Sequence, residues 1–199
     1  MPDTPAPLRA FLAVELPASA RDAIAAPLAS LQHCAQTAGV EARWSRPEGW
    51  HLTLKFLGWV ASDRVEAIGT HTARIASGAS PMGLQLVGFG AFPSAQRARV
   101  LWAGVKEDAG RVALTVLAGR IEQAMALLGF PPEERPFSPH LTLARIDRPR
   151  LAPALAQWLR EHQDDALGAV RVERIALMKS ERQGGESIYT PIREFSLGG

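Results

Sequence analysis

The sequence predicts an α+β fold, and three observations carry that expectation. Short apolar runs with strand-like alternation occur in neighbouring groups as well as between helical stretches, which fits α+β better than a strict βαβ repeat. The 199-residue chain is 47% hydrophobic and 21% charged, ordinary globular usage that excludes disordered, collagen-like and coiled-coil chains. One tetrapeptide, His-Leu-Thr-Leu, occurs twice, at 51–54 and at 140–143, each time inside an expected strand, which implies two similar half-structures.

Taken in order, Arg9 to Leu16 is an apolar run closed by Pro17, hence a strand. Ser19 opens a helix, with Asp22 three residues on as a partial capping box. Ile24, Leu28, Leu31 and Ala35 form its apolar face, Pro27 lies inside it, and Gly39 ends the region. Arg43 to Trp50 reads as loop or edge strand. His51 to Gly58 alternates strongly and is a strand. Ser62 caps a second helix whose face is Val65, Ile68, Thr72 and Ile75. Leu84 to Gly90 and Arg99 to Val105 form a hairpin around a polar loop holding Pro93. Asp108 caps the longest helix, carried by Leu114, Leu117, Ile121, Ala124 and Leu128 and stopped by Gly129. Pro131 to Pro139 is a charged, proline-rich loop, and His140 to Ile146 the next strand. Leu151, Leu155, Trp158, Leu159 and His162 mark a fourth helix. Val170 to Lys179 and Ile188 to Leu197 are the last strands, joined by a polar loop. No linker divides the chain, so residues 1–199 read as one domain.

Composition excludes several functions. The 22 Lys+Arg against 20 Asp+Glu leave a formal +2, too little to coat a long nucleic acid through bulk charge, though not too little for a local basic cleft. Cys34 is the single cysteine, so an internal disulfide or multi-cysteine metal site is excluded and a reducing, cytoplasmic setting is expected. No apolar run approaches membrane-spanning length, and the proline-rich start, Met1 to Leu8, lacks a signal-peptide core. No membrane and no protein partner is implied, and a monomer suffices.

The repeated tetrapeptide carries the chemistry. Each copy places His and Thr at i and i+2, on one face of a strand, and two leucines on the opposite, core-facing side. A lone strand histidine is more often structural, and strand threonines are common through β-propensity alone; the matched pair changes the balance. Two imidazoles in one cleft suit phosphodiester cleavage, where one group takes a proton from the nucleophile and another gives one to the leaving oxygen. The two threonines can donate to phosphoryl oxygens. No Asp or Glu stands two or four residues after either histidine, which disfavours a zinc site, and there is no G-x-S-x-G elbow. His33, His71 and His162 read as surface or boundary residues on helices.

At this point the sequence resembles a known family. Two H-x-T-x motifs mark the two-histidine phosphoesterase superfamily. The longer forms here, HLTLKFLG from His51 and SPHLTLARI from Ser138, resemble the RNA 2′,3′-cyclic phosphodiesterases, historically called 2′-5′ RNA ligases. The likeness extends through Arg9-Ala10-Phe11 with Leu16-Pro17, Arg43-Trp44, Gly88-Phe89-Gly90, Val100-Leu101-Trp102, and Ser180 with Tyr189. It implies a bilobal, pseudo-two-fold fold: two antiparallel sheets with outer helices around a central cleft. It implies metal-independent hydrolysis of a 2′,3′-cyclic phosphate at an RNA 3′ end to a 2′-phosphate, with no cofactor, and the reverse 2′-5′ joining. Alternatives are a small cyclic nucleotide or a 2′-5′ linked oligonucleotide as substrate, or a non-catalytic RNA-end binder; the intact histidine pair counts against the last.

By the resemblance, His51 is the proton donor and His140 the proton acceptor, and Thr53 and Thr142 bind phosphoryl oxygens. Arg145 matches the arginine of the second motif and would stabilise phosphate charge. Strict alternation points it away from His140, so its role requires a β-bulge. Lys55 shares the His51 face by alternation and is a second expected phosphate contact, a solvated strand lysine being the alternative. Phe56, at the place equivalent to Arg145, is expected in the core. Trp44, Phe11 and Tyr189 are candidates to stack a base, with core packing the stronger expectation for Phe11 and Trp102. Trp50 alternates to the leucine side and is expected to be buried.

Overall fold

The computed structural model describes residues 6–184 and 186–198. Residues 1–5 of the proline-rich start and residue 185 of the 180–187 loop lie outside the described residues. The elements, in chain order, are β1 (Leu8–Glu15), α1 (Ala18–Thr37), β2 (Arg43–Trp44), β3 (His51–Val60), α2 (Val65–Ser77), β4 (Met82–Phe92), β5 (Val100–Val105), α3 (Ala109–Leu127), β6 (His140–Arg145), α4 (Pro153–Glu161), β7 (Ala166–Val172), β8 (Arg174–Gln183) and β9 (Glu186–Ser196). The α+β expectation and its four helices hold. Among the described residues, no helix is long and apolar enough to cross a membrane.

The two expected sheets are one. The strand order is β7-β4-β5-β6-β3-β1-β8-β9, with β2 added on β6, and every pairing is antiparallel. The order reads as two four-strand halves, β6-β5-β4-β7 and β3-β1-β8-β9, meeting at the two motif strands. The seam is a single pair, Leu52 opposite Leu141. Both leucines are fully buried in one shared core, and seating them side by side makes the two sheets continuous.

The sheet must also curl. Only Glu173 separates β7, at one end of the order, from β8, next to the other end. One residue bridges a few ångströms, so the far ends of the sheet approach each other. The Leu197 amide, just past β9, donates to the Glu173 carbonyl at 2.8 Å and closes that approach. This is why the expected single strand from Val170 to Lys179 is two strands: the chain changes halves at Glu173.

Helices bind the halves together. α1 follows β1 of one half but packs on β7 of the other, beside α4; α2 packs on β9 and beside α3. The expected faces are the buried ones: Ile24, Leu28, Leu31 and Ala35 in α1, and Leu114, Leu117 and Ile121 in α3. Two expected caps are absent. α1 starts at Ala18 with Pro17 as N-cap, so Ser19 is already helical and cannot cap. A 3₁₀ turn, Ser62–Arg64, precedes α2, and the Ser62 hydroxyl donates instead to the Ala6 carbonyl at 3.1 Å. Asp108 does cap α3, its carboxylate accepting from the Arg111 amide at 3.1 Å, and Gly129 beyond it takes the left-handed φ of 79° that an L side chain resists. At 20 residues α1 edges out α3, at 19, as the longest helix.

Candidate active site

The seam that joins the halves also juxtaposes the motifs. Leu52 opposite Leu141 fixes the register, which sets His51 beside Thr142 and Thr53 beside His140 on the non-helical face. The two copies of the motif meet antiparallel at that leucine pair. All four polar residues are partly exposed, while the four intervening leucines, Leu52, Leu54, Leu141 and Leu143, are buried.

The two imidazoles are anchored alike. His51 Nδ1 lies 2.7 Å from the Gly49 carbonyl, and His140 Nδ1 lies 2.7 Å from the Ser138 carbonyl. A carbonyl only accepts, so each Nδ1 carries hydrogen and each Nε2 is the nitrogen left for chemistry. These anchoring carbonyls were not anticipated from the sequence, although each stands two residues before its histidine. Burial lowers the pKa of both histidines, and the carbonyl bonds oppose that shift. Arg145 lowers both further, and His140 also lowers His51. Both imidazoles are therefore predominantly neutral at neutral pH.

That shared influence places Arg145 near both histidines, and the bulge its role requires is present. On β6, Leu101 pairs with Ala144 and Trp102 with Thr142, skipping Leu143. Leu143 and Ala144 are both buried, and Arg145 emerges on the exposed side. The first motif carries the same bulge. Leu12 pairs with Lys55 and Ala13 with Thr53, skipping Leu54.

This bulge overturns two expectations. Lys55 does not reach the cleft. It is 5% exposed on the helical side, where its Nζ donates to Glu122 at 2.8 Å and to the Pro131 carbonyl at 2.7 Å. Glu122 also accepts from the Glu133 amide at 3.0 Å, so the pair ties down the loop that leads to His140. Phe56, expected in the core, faces the cleft side and is 54% exposed. Alternation fails at both positions because the extra residue reverses the side chains that follow it, until a second bulge at Leu57 (Phe11 pairs with Phe56 and Ala10 with Gly58) restores the phase.

The Lys55–Glu122 pair yields a stability prediction. Lys55→Met strands the carboxylate, and breaking a buried pair from one side costs about 3–5 kcal/mol. Glu122 is 28% exposed, so the low end, about 3 kcal/mol, is expected, or a melting decrease of roughly 6–12 °C for a chain of this size. Thermal unfolding measured beside KM checks this. A raised KM with unchanged melting would instead indicate a phosphate-binding lysine.

Aromatic rings wall each imidazole. Phe11 lies 4.7 Å from His51 and Tyr189 meets His51 edge-on at 4.8 Å, between ring centroids. Phe92 meets His140 edge-on at 5.0 Å. Of the expected stacking candidates, Phe11 is buried, but in a small cluster on the cleft side with Ala13, Ala176 and Met178 and with Tyr189 against it. Trp44 packs against the main core. Trp102 is half-buried, lying over Gly90, where a Cβ would come within 2.2 Å of the indole. Trp50 is buried as expected. Phe92 is a contact without local sequence signal. Among the described residues, no three His, Cys, Asp or Glu side chains gather as metal ligands would.

Known proteins resemble this chain in sequence and in fold. The family described as LigT-like phosphoesterase matches residues 17–102 and again 105–189, one match for each half-motif. An RNA 2′,3′-cyclic phosphodiesterase of Methanothermobacter thermautotrophicus is 32% identical over 96% of this chain and 99% of the relative. One from Aeropyrum pernix is 38% identical over 84% and 93%. The crystal structure of E. coli LigT in apo form superposes with a TM-score of 0.74 at 26% identity, covering 98% of this chain and 100% of that one. A second structure of that protein, in complex with 3′-AMP, superposes with a TM-score of 0.71 at 26% identity, over 96% and 98%.

Proposed function

The chain belongs to the LigT-like phosphoesterase family, and we propose that it is a hydrolase opening RNA 2′,3′-cyclic phosphate ends to 2′-phosphates by two-histidine acid–base catalysis without a metal ion. The observation that carries this reading is the pair of imidazoles on the two strands that meet at the Leu52–Leu141 pair, each held through Nδ1 so that Nε2 is left for substrate.

The chemistry balances on those two nitrogens. A water oxygen attacks phosphorus while His140 Nε2 takes its proton. The bond from phosphorus to the 3′ oxygen breaks, and His51, protonated at Nε2, gives its proton to that oxygen. The phosphate stays on the 2′ oxygen. Each Nδ1–H bond to a backbone carbonyl stabilises the imidazolium whenever its ring is charged. Thr53 and Thr142 donate to the non-bridging oxygens, and Arg145 opposes the charge that grows there. After turnover the histidines have exchanged protonation states, and exchange with solvent restores them. With a 5′-hydroxyl in place of water as the nucleophile, the same step forms a 2′-5′ linkage: His140 takes the hydroxyl proton and His51 protonates the departing 3′ oxygen; its reverse cleaves that linkage.

End-group analysis tests the proposal. An oligonucleotide ending in a 2′,3′-cyclic phosphate, incubated with the protein in excess chelator, is expected to yield a 2′-phosphate. A 3′-phosphate would overturn the assigned acid and base. Activity lost to chelator and restored by a divalent ion would overturn the metal-free step.

A further inference from the structure

Phe56 and Trp59 are large rings left in water, 54% and 73% exposed, on one strand that starts at His51. They share a face. Phe56 pairs with Phe11 across the ladder and Trp59 pairs with Arg9, and opposed residues in an antiparallel pair project to the same side. Phe11 is the ring that walls His51, and Phe56 lies 5.9 Å from Phe11 between centroids. An aromatic face therefore runs from His51 through Phe11 and Phe56 toward Trp59, with the exposed Arg9 beside its outer end.

We infer that this strip of Phe56, Trp59 and Arg9 binds the RNA nucleotides on the 5′ side of the terminal cyclic phosphate. The inference rests on the function proposed above and identifies the substrate as an oligonucleotide rather than a mononucleotide. An RNA closed at its 3′ end by a cyclic phosphate can extend from the cleft only in its 5′ direction. At the start of β3 the way is occupied by the 3₁₀ turn Pro47–Gly49, braced by Tyr189 against Gly49 and by the 2.7 Å Arg46–Glu186 pair. The other end of β3 is the aromatic strip. Exposed rings stack bases without regard to sequence, and an arginine among them meets the phosphate backbone. His51 and Trp59 pair with Glu15 and Arg9, six residues apart on β1, so a strand rise of about 3.3 Å per residue puts Trp59 about 20 Å from His51 along the sheet. A mononucleotide in the cleft cannot touch it, whereas a hexanucleotide can.

Turnover of a 2′,3′-cyclic mononucleotide and of a hexanucleotide with the same 3′ end is compared in the wild-type chain, in Trp59→Ala and in Leu127→Ala. Leu127 is an equally exposed apolar residue on α3. Trp59→Ala is expected to lower kcat/KM for the hexanucleotide by about five- to a hundred-fold, the range for losing one stacked base. It should leave the mononucleotide unchanged, and Leu127→Ala should change neither. Equal hexanucleotide kcat/KM in wild type and Trp59→Ala would overturn the inference. Affinity for a 5′-fluorescein-labelled hexanucleotide ending in a 2′-phosphate, read by anisotropy, judges the strip apart from catalysis. If the wild-type chain cleaves neither substrate, the proposed function falls. The strip then stands if Trp59→Ala weakens that binding and falls if it does not.

Discussion

Alanine in place of His51 or of His140 is expected to lower turnover of a cyclic-phosphate RNA end by about 10²–10⁴-fold, the usual contribution of one general acid or base. Both substitutions should leave the fold intact. Each imidazole is partly exposed on the cleft side, and its one bond is to a carbonyl two residues away in its own turn. Losing such a bond costs about 1 kcal/mol, and the leucine pair that joins the halves is untouched. The double variant should fall little below the weaker single one, because an acid without its base does nothing useful. Single-turnover rates beside thermal melts check this, and near-normal turnover in either variant would refute the assignment. The sign of the pH effect on stability follows from the same groups. Each folded-state pKa lies below the ordinary 6.5. Each neutral imidazole therefore contributes its full stability above pH 6.5, and that contribution is lost as pH falls from 6.5 through the folded value. The alanine variants should melt with a flatter dependence in that window.

The sequence displays the parts of this site that depend on a two-residue period and hides the parts that depend on where the period breaks. His51, Thr53, His140 and Thr142 are legible because each pair stands on one side of a strand whose leucines are in the core. Lys55 and Phe56 are misread for the same reason. Alternation assigns them to faces that the bulge at Leu54 exchanges. Nothing in the local residue types marks that bulge, but the two halves together do. The expectation that Arg145 reaches the cleft demands a bulge in the second copy. The pseudo-symmetry would then impose one at Leu54, burying Lys55 and exposing Phe56. The unity of the sheet was hidden differently. It depends on one cross-strand pair and on one residue, Glu173, linking distant strands, and neither is a local property of the chain. Phe92 and Tyr189 against the histidines are tertiary contacts of the same kind.

Arg145 is the group whose removal should change both the rate and its pH dependence. Catalysis needs one imidazole protonated and one neutral, so kcat/KM should follow a bell whose two midpoints belong to the pair. Both pKa values are lowered in the free protein, so the optimum of the wild-type enzyme is expected below pH 6.5. Arg145→Gln removes the guanidinium that opposes protonation of both rings, and the bell should move upward. It should not reach 6.5, because burial, the larger cause, remains. Turnover at the optimum should fall by about 10²-fold, as for loss of one donor to a developing oxyanion. Arg145→Lys separates the two contributions. It keeps a charge near the histidines and hence most of the acidic shift, yet it loses the planar fork that meets two phosphoryl oxygens at once. Its profile should resemble that of the wild type in position and that of Arg145→Gln in height. A glutamine variant whose bell neither moves nor shrinks would place the guanidinium outside the reaction, and the bulge at Leu143 would then be a feature of the fold alone.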